Sequence, residues 1–288
     1  MKNWFSLPIV MSFCLSLLAA CAPTPLTAAD IPGSIGPTGS LAVQTQRVTW
    51  LPDGSSILAG QGSLLLWVDP ASMQKQKSLE LNQPIEGLMV NPAGNQVLVL
   101  IDPAQAIRVD LATGQPRGPA EAWREIQDFC PPGQSLDVLN FQNAYCGDLD
   151  LQLAVKAANK KWQNAIRSGG TMQKISPDGK TWALGLGGVS EATTWLIDVN
   201  SRELLNKLVL QGGDLVSVNG ALAVDFSPDS NRLAMADLAG LITIWDVKTG
   251  EQLSTLAAGE LATDIAFSPD GKQIAMCGEK NLLLFDVK

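Results

Sequence analysis

A chain of 288 residues, 46% hydrophobic and only 17% charged, is long and apolar enough to bury a full core, which excludes an intrinsically disordered polymer. The 20 Lys and Arg against 28 Asp and Glu leave a net charge of -8, a surface that repels phosphate backbones and makes nucleic acid a poor partner. Histidine is absent altogether, which excludes Ser/His and Cys/His nucleophile pairs, an imidazole base and the commonest zinc and copper sites; catalysis would fall to carboxylates, lysines, Tyr145 or a bound cofactor.

The first twenty residues place Lys2 ahead of an apolar run that ends in small residues, the pattern of a secretory signal peptide rather than a transmembrane span. The run closes on Leu18-Ala19-Ala20-Cys21, which resembles the lipobox of bacterial lipoproteins. The resemblance implies cleavage before Cys21, acylation of that cysteine as the new N-terminus and, with Ala22 rather than Asp following, delivery to the outer membrane where the cell has one. Several acyl chains anchor stably, at roughly 0.8 kcal/mol per buried methylene. Residues 21–39, rich in Pro, Gly, Thr and Ala, read as the lipidated N-terminus and a flexible tether that holds the folded body clear of the bilayer.

From residue 40 to 288 the chain repeats itself. A Pro-containing turn recurs at Pro52, Pro92, Pro132, Pro177, Pro228 and Pro269, in steps of 40, 40, 45, 51 and 41 residues. Two residues before each proline stand Trp50, Val90, Cys130, Ile175, Phe226 and Phe267, and six after it stand Leu58, Leu98, Val138, Ala183, Ala234 and Ala275. A third apolar run ends at Asp69, Asp110, Asp198, Asp246 and Asp286. Strand-like runs at a period near 40 indicate β-propeller blades rather than helical repeats. With Phe226-Ser227-Pro228-Asp229 and Ile244-Trp245-Asp246-Val247 as its clearest pieces, the array resembles WD40-type repeats, which implies an all-β ring. One departure is plain: the histidine of that family's buried hydrogen-bonded network cannot exist here, so apolar packing must carry the blades.

Six markers predict six blades, with seven as the alternative. The last unit stops soon after its third strand, and Leu41-Ala42-Val43-Gln44-Thr45 has the length and alternation to supply the missing fourth strand and close the ring. The third unit is irregular: it lacks the aromatic-Asp ending, its polar turn contains Tyr145-Cys146-Gly147-Asp148, and Lys160-Lys161 falls in the next hairpin. Cys130 and Cys146 invite a disulfide in an exported protein, but regular blade geometry puts them at opposite ends of strands about 16 Å long, whereas a bridge needs Cα atoms within about 7 Å; the expectation is that they are unbridged. Cys277 is expected to pack as a small hydrophobe.

On the first strands, Arg47 and Asp264 share one repeat position in adjoining units, and Lys174 and Asp225 share another. Each pair is expected to meet across a blade boundary near the axis, as a structural contact or as a polar ligand site at the channel mouth. Three functions follow. The first is a lipid-anchored scaffold that binds another envelope protein, with no catalytic residue, cofactor or metal. The second is an enzyme or carbohydrate and small-ligand binder using Asp148, Asp225 and Asp264, and the third is a cytosolic scaffold.

Overall fold

The computed structural model describes residues 25–102, 104–126, 128–140, 143–163, 170–186, 193–209, 222–237 and 239–287. Cys21 and the expected signal peptide lie outside them. Strand β1 (Gly39–Leu41) precedes six successive units. The first holds β2 (Arg47–Trp50), β3 (Ile57–Gln61), β4 (Leu64–Asp69) and β5 (Gln74–Glu80). The second holds β6 (Gly87–Val90), β7 (Gln96–Leu100), β8 (Gln105–Asp110), β9 (Gln115–Pro116) and β10 (Glu121–Ala122). The third has a 3-10 turn, Trp123–Glu125, then β11 (Ser135–Asn140), β12 (Asn143–Gly147) and helix α1 (Leu149–Lys161). The fourth holds β13 (Gly170–Ile175), β14 (Thr181–Leu186), β15 (Thr193–Asp198) and β16 (Leu204–Val209); the fifth, β17 (Ala223–Phe226), β18 (Arg232–Ala236), β19 (Leu241–Asp246) and β20 (Gln252–Ala257). The sixth holds β21 (Ala262–Phe267), β22 (Gln273–Gly278) and β23 (Leu282–Asp286).

Each unit is an antiparallel meander, and five of the six are sheets of four or five strands. The count of six full blades, or seven, is therefore corrected to five full blades and one partial unit: the third contributes only the β11–β12 hairpin. Nor is the chain purely β. Asp148 caps α1 by accepting from the Leu151 N–H at 2.8 Å, and Lys160 and Lys161 close its last turn instead of sitting in a hairpin.

Local chemistry explains the repeated residues. In the fourth, fifth and sixth units a serine hydroxyl donates to the aspartate two residues on: Ser176 to Asp178 (2.6 Å), Ser227 to Asp229, and Ser268 to Asp270 (2.7 Å). The same hydroxyl accepts from the backbone five residues on, at Thr181, Arg232 or Gln273, which ties the turn shut. The aspartate ending each third strand caps the following turn: Asp69 accepts from Ala71 N–H, Asp198 from Ser201 N–H and Asp246 from Thr249 N–H. In the second unit the Thr113 N–H, helped by Arg117, holds Asp110 down at about 2.

The apolar columns meet between units. Successive units share an apolar layer, and so do the last and the first, where Val48, Trp50 and Ile57 pack on Ala266, Ala275 and the buried Cys277. Leu58, Leu98, Ala183, Ala234 and Ala275 are fully buried; the side chain of Val138 lies outside the described residues. Helix α1 takes the place of missing strands, presenting Val155 and Ala158 to Trp182, Leu184 and Ile197 of the fourth unit.

The expected separation of Cys130 and Cys146 fails for a definite reason. Among the described residues the third unit has no strand ahead of its proline turn; the Gln134 N–H bonds the Pro131 carbonyl, and the chain enters β11 only afterwards. Leu136 of β11 faces Cys146, so Cys130 reaches the same end of the hairpin and the two cysteines form a disulfide with Cα atoms 5.5 Å apart.

Of the expected tether, residues 21–39, only 25–39 are described, and these are packed on the body rather than free of it. Residues 25–38 form a strap on the fifth unit. Leu26 donates to the Ala239 carbonyl at 2.8 Å and accepts from Gly259 N–H at 3.0 Å, and Ile35 donates to Thr255 at 3.0 Å and accepts from Ala257 at 2.9 Å. Leu26, Ala28 and Ile31 cover Ala239, Leu241 and Ala257. Gly240 makes this corner possible: its φ is +76° and a Cβ there would lie 2.5 Å from the Glu260 carbonyl oxygen. The strap leads into β1, which pairs with β23 from Gly39↔Leu284 to Leu41↔Leu282, ahead of the residues 41–45 expected to do so.

Beneath the strap Asp237 is 2% exposed. Its Oδ1 accepts from the Ala239 and Leu241 N–H groups, each at 2.9 Å, while Oδ2 has no partner among the described residues. Burial pushes this carboxyl up to about 6.

Two outcomes are expected. Cys146→Ser should lower stability by about 3 kcal/mol in urea denaturation, the size for a loop of this length, and reduction of the wild type should match it. For Asp237 the native state binds the proton more tightly than the unfolded chain, so its stabilisation is full below about pH 4 and is lost as pH rises through about 6. Asp237→Asn keeps the Oδ1 acceptor without the charge. It should gain about 1–2 kcal/mol at pH 7 and nothing at pH 4, read from denaturation midpoints across that range.

Candidate functional site

The first strands form the inner layer: β2 packs on β6 and on β21, and β17 packs on β13 and on β21. The polar residues on them connect each unit to the next. Lys174 on β13 places its ammonium 3.1 Å from the Asp225 carboxylate on β17. Asp225 in turn accepts from the Phe267 N–H on β21 at 2.8 Å. Asp264 on β21 accepts from the Val48 N–H on β2 at 3.0 Å. Arg47 on β2 donates to the carbonyl of Glu86, beside β6, and its guanidinium lies 3.9 Å from the Glu86 carboxylate. Four consecutive boundaries are thus crossed in one direction.

Of the two expected pairs, Lys174 and Asp225 come together. Arg47 and Asp264 make no ion pair; Arg47 turns to the second unit, and the backbone of Val48 serves Asp264 instead. Arg47 still acts on Asp264 through space. Desolvation raises the Asp264 pKa, with Arg47 the largest opposing influence, and the net direction is upward. For Lys174 desolvation pulls downward, but Asp225 and Asp264 together outweigh it and the net direction is upward. The third named carboxylate, Asp148, caps α1 in the irregular unit.

A second feature lies on the end of the molecule that carries the Pro-Asp turns. A cleft of about 450 Å³ opens between the first and sixth units, lined by Trp50, Pro52, Asp53, Pro269 and Asp270. A neighbouring hollow of about 360 Å³ shares Pro70 and Gln273 with it and reaches outward past Ser72 to Gly39 on β1. Together they make a groove along this seam. Asp53 and Asp270 are held ionised at its lip: the Ser55 N–H chiefly lowers one pKa and the Ser268 hydroxyl chiefly lowers the other.

The β-propeller domain of Cps50 (Swd1) from Myceliophteria thermophila has the same arrangement of sheets, with a TM-score of 0.54 over 89% of this chain and 100% of that one at 15% identity. This chain has the β-propeller fold. The C-terminal WD40 domain of Sif2 is similar at a TM-score of 0.51, 12% identity and coverage of 85% and 82%. Hydrazine synthase of Kuenenia stuttgartiensis also matches at 0.51, with 14% identity and coverage of 85% and 96%. At these identities the likeness is one of fold. In sequence, WD repeat-containing protein 1 of Gallus gallus is 41% identical over 69 residues; the match spans 22% of this chain and 11% of that protein's length. No protein-family model matches.

Sequence reasoning missed Glu86, which sits in the link before β6, and the seam groove, whose walls come from residues more than 200 positions apart. Nothing in the repeat phase marks either. Within this propeller the inner contacts predict an order of effects. Asp225→Ala removes both the partner of Lys174 and the acceptor for Phe267, and should cost about 2 kcal/mol. Lys174→Met, at a side chain 36% exposed, should cost about 1 kcal/mol. Urea midpoints at unchanged slope check this, and the reverse order would contradict the role given to Asp225.

Proposed function

We propose that this WD40-type propeller is a non-catalytic scaffold, anchored to a membrane outside the cytoplasm through acylated Cys21, its six-position ring closed by the first and last units and presenting a loop face to another envelope protein. The observation that carries the binding role is the division of polar groups. The inner carboxylates Asp225 and Asp264 are engaged by Lys174 and by the Phe267 and Val48 N–H groups, and Asp148 caps a helix. The groove between Trp50 and Pro269, by contrast, opens to solvent, with Asp53 and Asp270, each tied to its own turn serine, exposed at its lip within reach of a polypeptide. Glycoside chemistry needs two free carboxyl groups across a substrate, and these three are committed elsewhere.

The address is supported by the lipobox at Leu18-Ala19-Ala20-Cys21 and by the Cys130–Cys146 bridge, since disulfides persist mainly outside the reducing cytoplasm.

Fractionation of wild type beside Cys21→Ala, with intact masses, tests the address. Wild type should be membrane-bound and heavier by acyl chains, and the variant should lose the modification; two soluble, unprocessed forms would point to a cytosolic scaffold instead. Photo-crosslinking in cells from Asp270 should trap one defined protein, and an adduct pattern identical from an unrelated surface position would remove the groove from the interface.

A further inference from the structure

The strap changes what an anchor at Cys21 would do. Its first fixed point is Leu26, hydrogen-bonded on both sides to Ala239 and Gly259 and packed on Leu241 and Ala257. Leu26 follows Cys21 by five positions, and five chain steps span at most about 18 Å when fully extended. That is comparable with the depth of the propeller along its strands, roughly 17–20 Å.

Leu26 is fixed at one particular end of the molecule. Ala239 and Gly240 belong to the turn joining β18 to β19, and Gly259 to the link from β20 to β21. The Pro-Asp turns and the seam groove lie at the opposite end of the strands. Resting on the reading that Cys21 is acylated, we infer that the anchor docks the propeller in one orientation, with the β18–β19 corner of the fifth unit against the lipid surface and the groove turned away from it.

Adsorption by charge is excluded as the cause, because a chain of net charge -8 is repelled by anionic headgroups. The constraint is the short chain between Cys21 and the strap, so the orientation should be insensitive to salt.

The sixth unit offers an internal comparison. Lys280 lies in its β22–β23 turn, at the strap's end of the molecule, and Lys272 in its Pro-Asp turn at the other; both are exposed. Cys277 is buried and Cys130 and Cys146 are bridged, so Lys280→Cys and Lys272→Cys each add one reactive thiol among the described residues. The acylated full-length mature protein, carrying a fluorescent donor at either position, is placed in phosphatidylcholine vesicles containing a headgroup-labelled acceptor lipid. Energy transfer should be at least twofold greater from position 280 than from 272, unchanged between low and high salt, and equalised by a twenty-residue Gly-Ser insertion after Ala22. Equal or reversed transfer in the acylated protein would overturn the orientation while leaving the anchor intact. If mass spectrometry shows no acylation, the anchor reading fails on its own. The orientation is then read from Cys21→Ser with a hexahistidine tag in place of residues 1–20, held on nickel-chelating lipid, where absence of the 280-over-272 difference again overturns it.

Discussion

A meander of strands satisfies its own backbone within each sheet but does nothing to hold one sheet beside the next. In this protein that task falls to side chains of the innermost strands that bond to the neighbouring unit's inner strand: Lys174 to Asp225, Asp225 to Phe267, Asp264 to Val48, Arg47 to Glu86. Two of these acceptors meet a backbone N–H that a first strand, with no neighbour on its inner side, would otherwise leave unpaired. Apolar layers then fill the space outside this inner chain, and Trp50 adds an indole N–H bond to Ala266 across the same seam as Asp264. The contacts run in one direction, from the fourth unit to the fifth, the fifth to the sixth, the sixth to the first and the first to the second, so a repeat lacking histidine still locks these neighbours.

The third unit shows what the architecture tolerates. With two strands instead of four it exposes less sheet to its neighbours, and three devices compensate. Helix α1 supplies Val155 and Ala158 to the fourth unit, Trp162 stacks edge-on against Trp195, and the Cys130–Cys146 bridge fixes the loop that would have been a first strand. On the other side Trp123, Ile126 and Phe129 fill the layer against Leu98 and Leu100 of the second unit. The seams are conserved in kind even though the elements that line them differ, because what each neighbour requires is an apolar surface rather than a strand. Helix α1 leaves Leu149 and Leu153 facing solvent, 68% and 55% exposed.

The same economy of contacts bears on function. Charges near the axis are tied to partners on neighbouring units, whereas Asp53 and Asp270, bonded only within their own turns, stand exposed at the lip of the groove between the first and sixth units. That groove exists because the seam joining the two ends of the array is lined by Pro52, Pro70 and Pro269 together with Gly39, whose missing Cβ leaves room for Met73. The strap on the fifth unit lies at the opposite end of the strands from this groove and leaves it open.

The repeat was legible in the sequence because its signals are local. A serine, a proline and an aspartate within three positions close a turn by themselves, and period-2 apolar columns such as Trp50, Phe226 and Phe267 follow from strand geometry alone. The Lys174–Asp225 contact could be anticipated for the same reason, since equal repeat positions in adjacent blades lie side by side. Helix α1 carried local marks too, with Asp148 as its cap and Ala, Leu and Lys through its length, but the repeat phase imposed a hairpin on those residues. What only the tertiary structure decided depends on encounters between distant segments. The strap binds because Ala239, Leu241 and Ala257 leave an apolar corner uncovered; the disulfide forms because a missing strand shortens the path between its cysteines; and Arg47 bonds Glu86 while the Val48 and Ile265 N–H groups serve the Asp264 carboxylate. Turn chemistry and strand period are written within a few residues, whereas which uncovered surface meets which segment is settled only when the whole chain is packed.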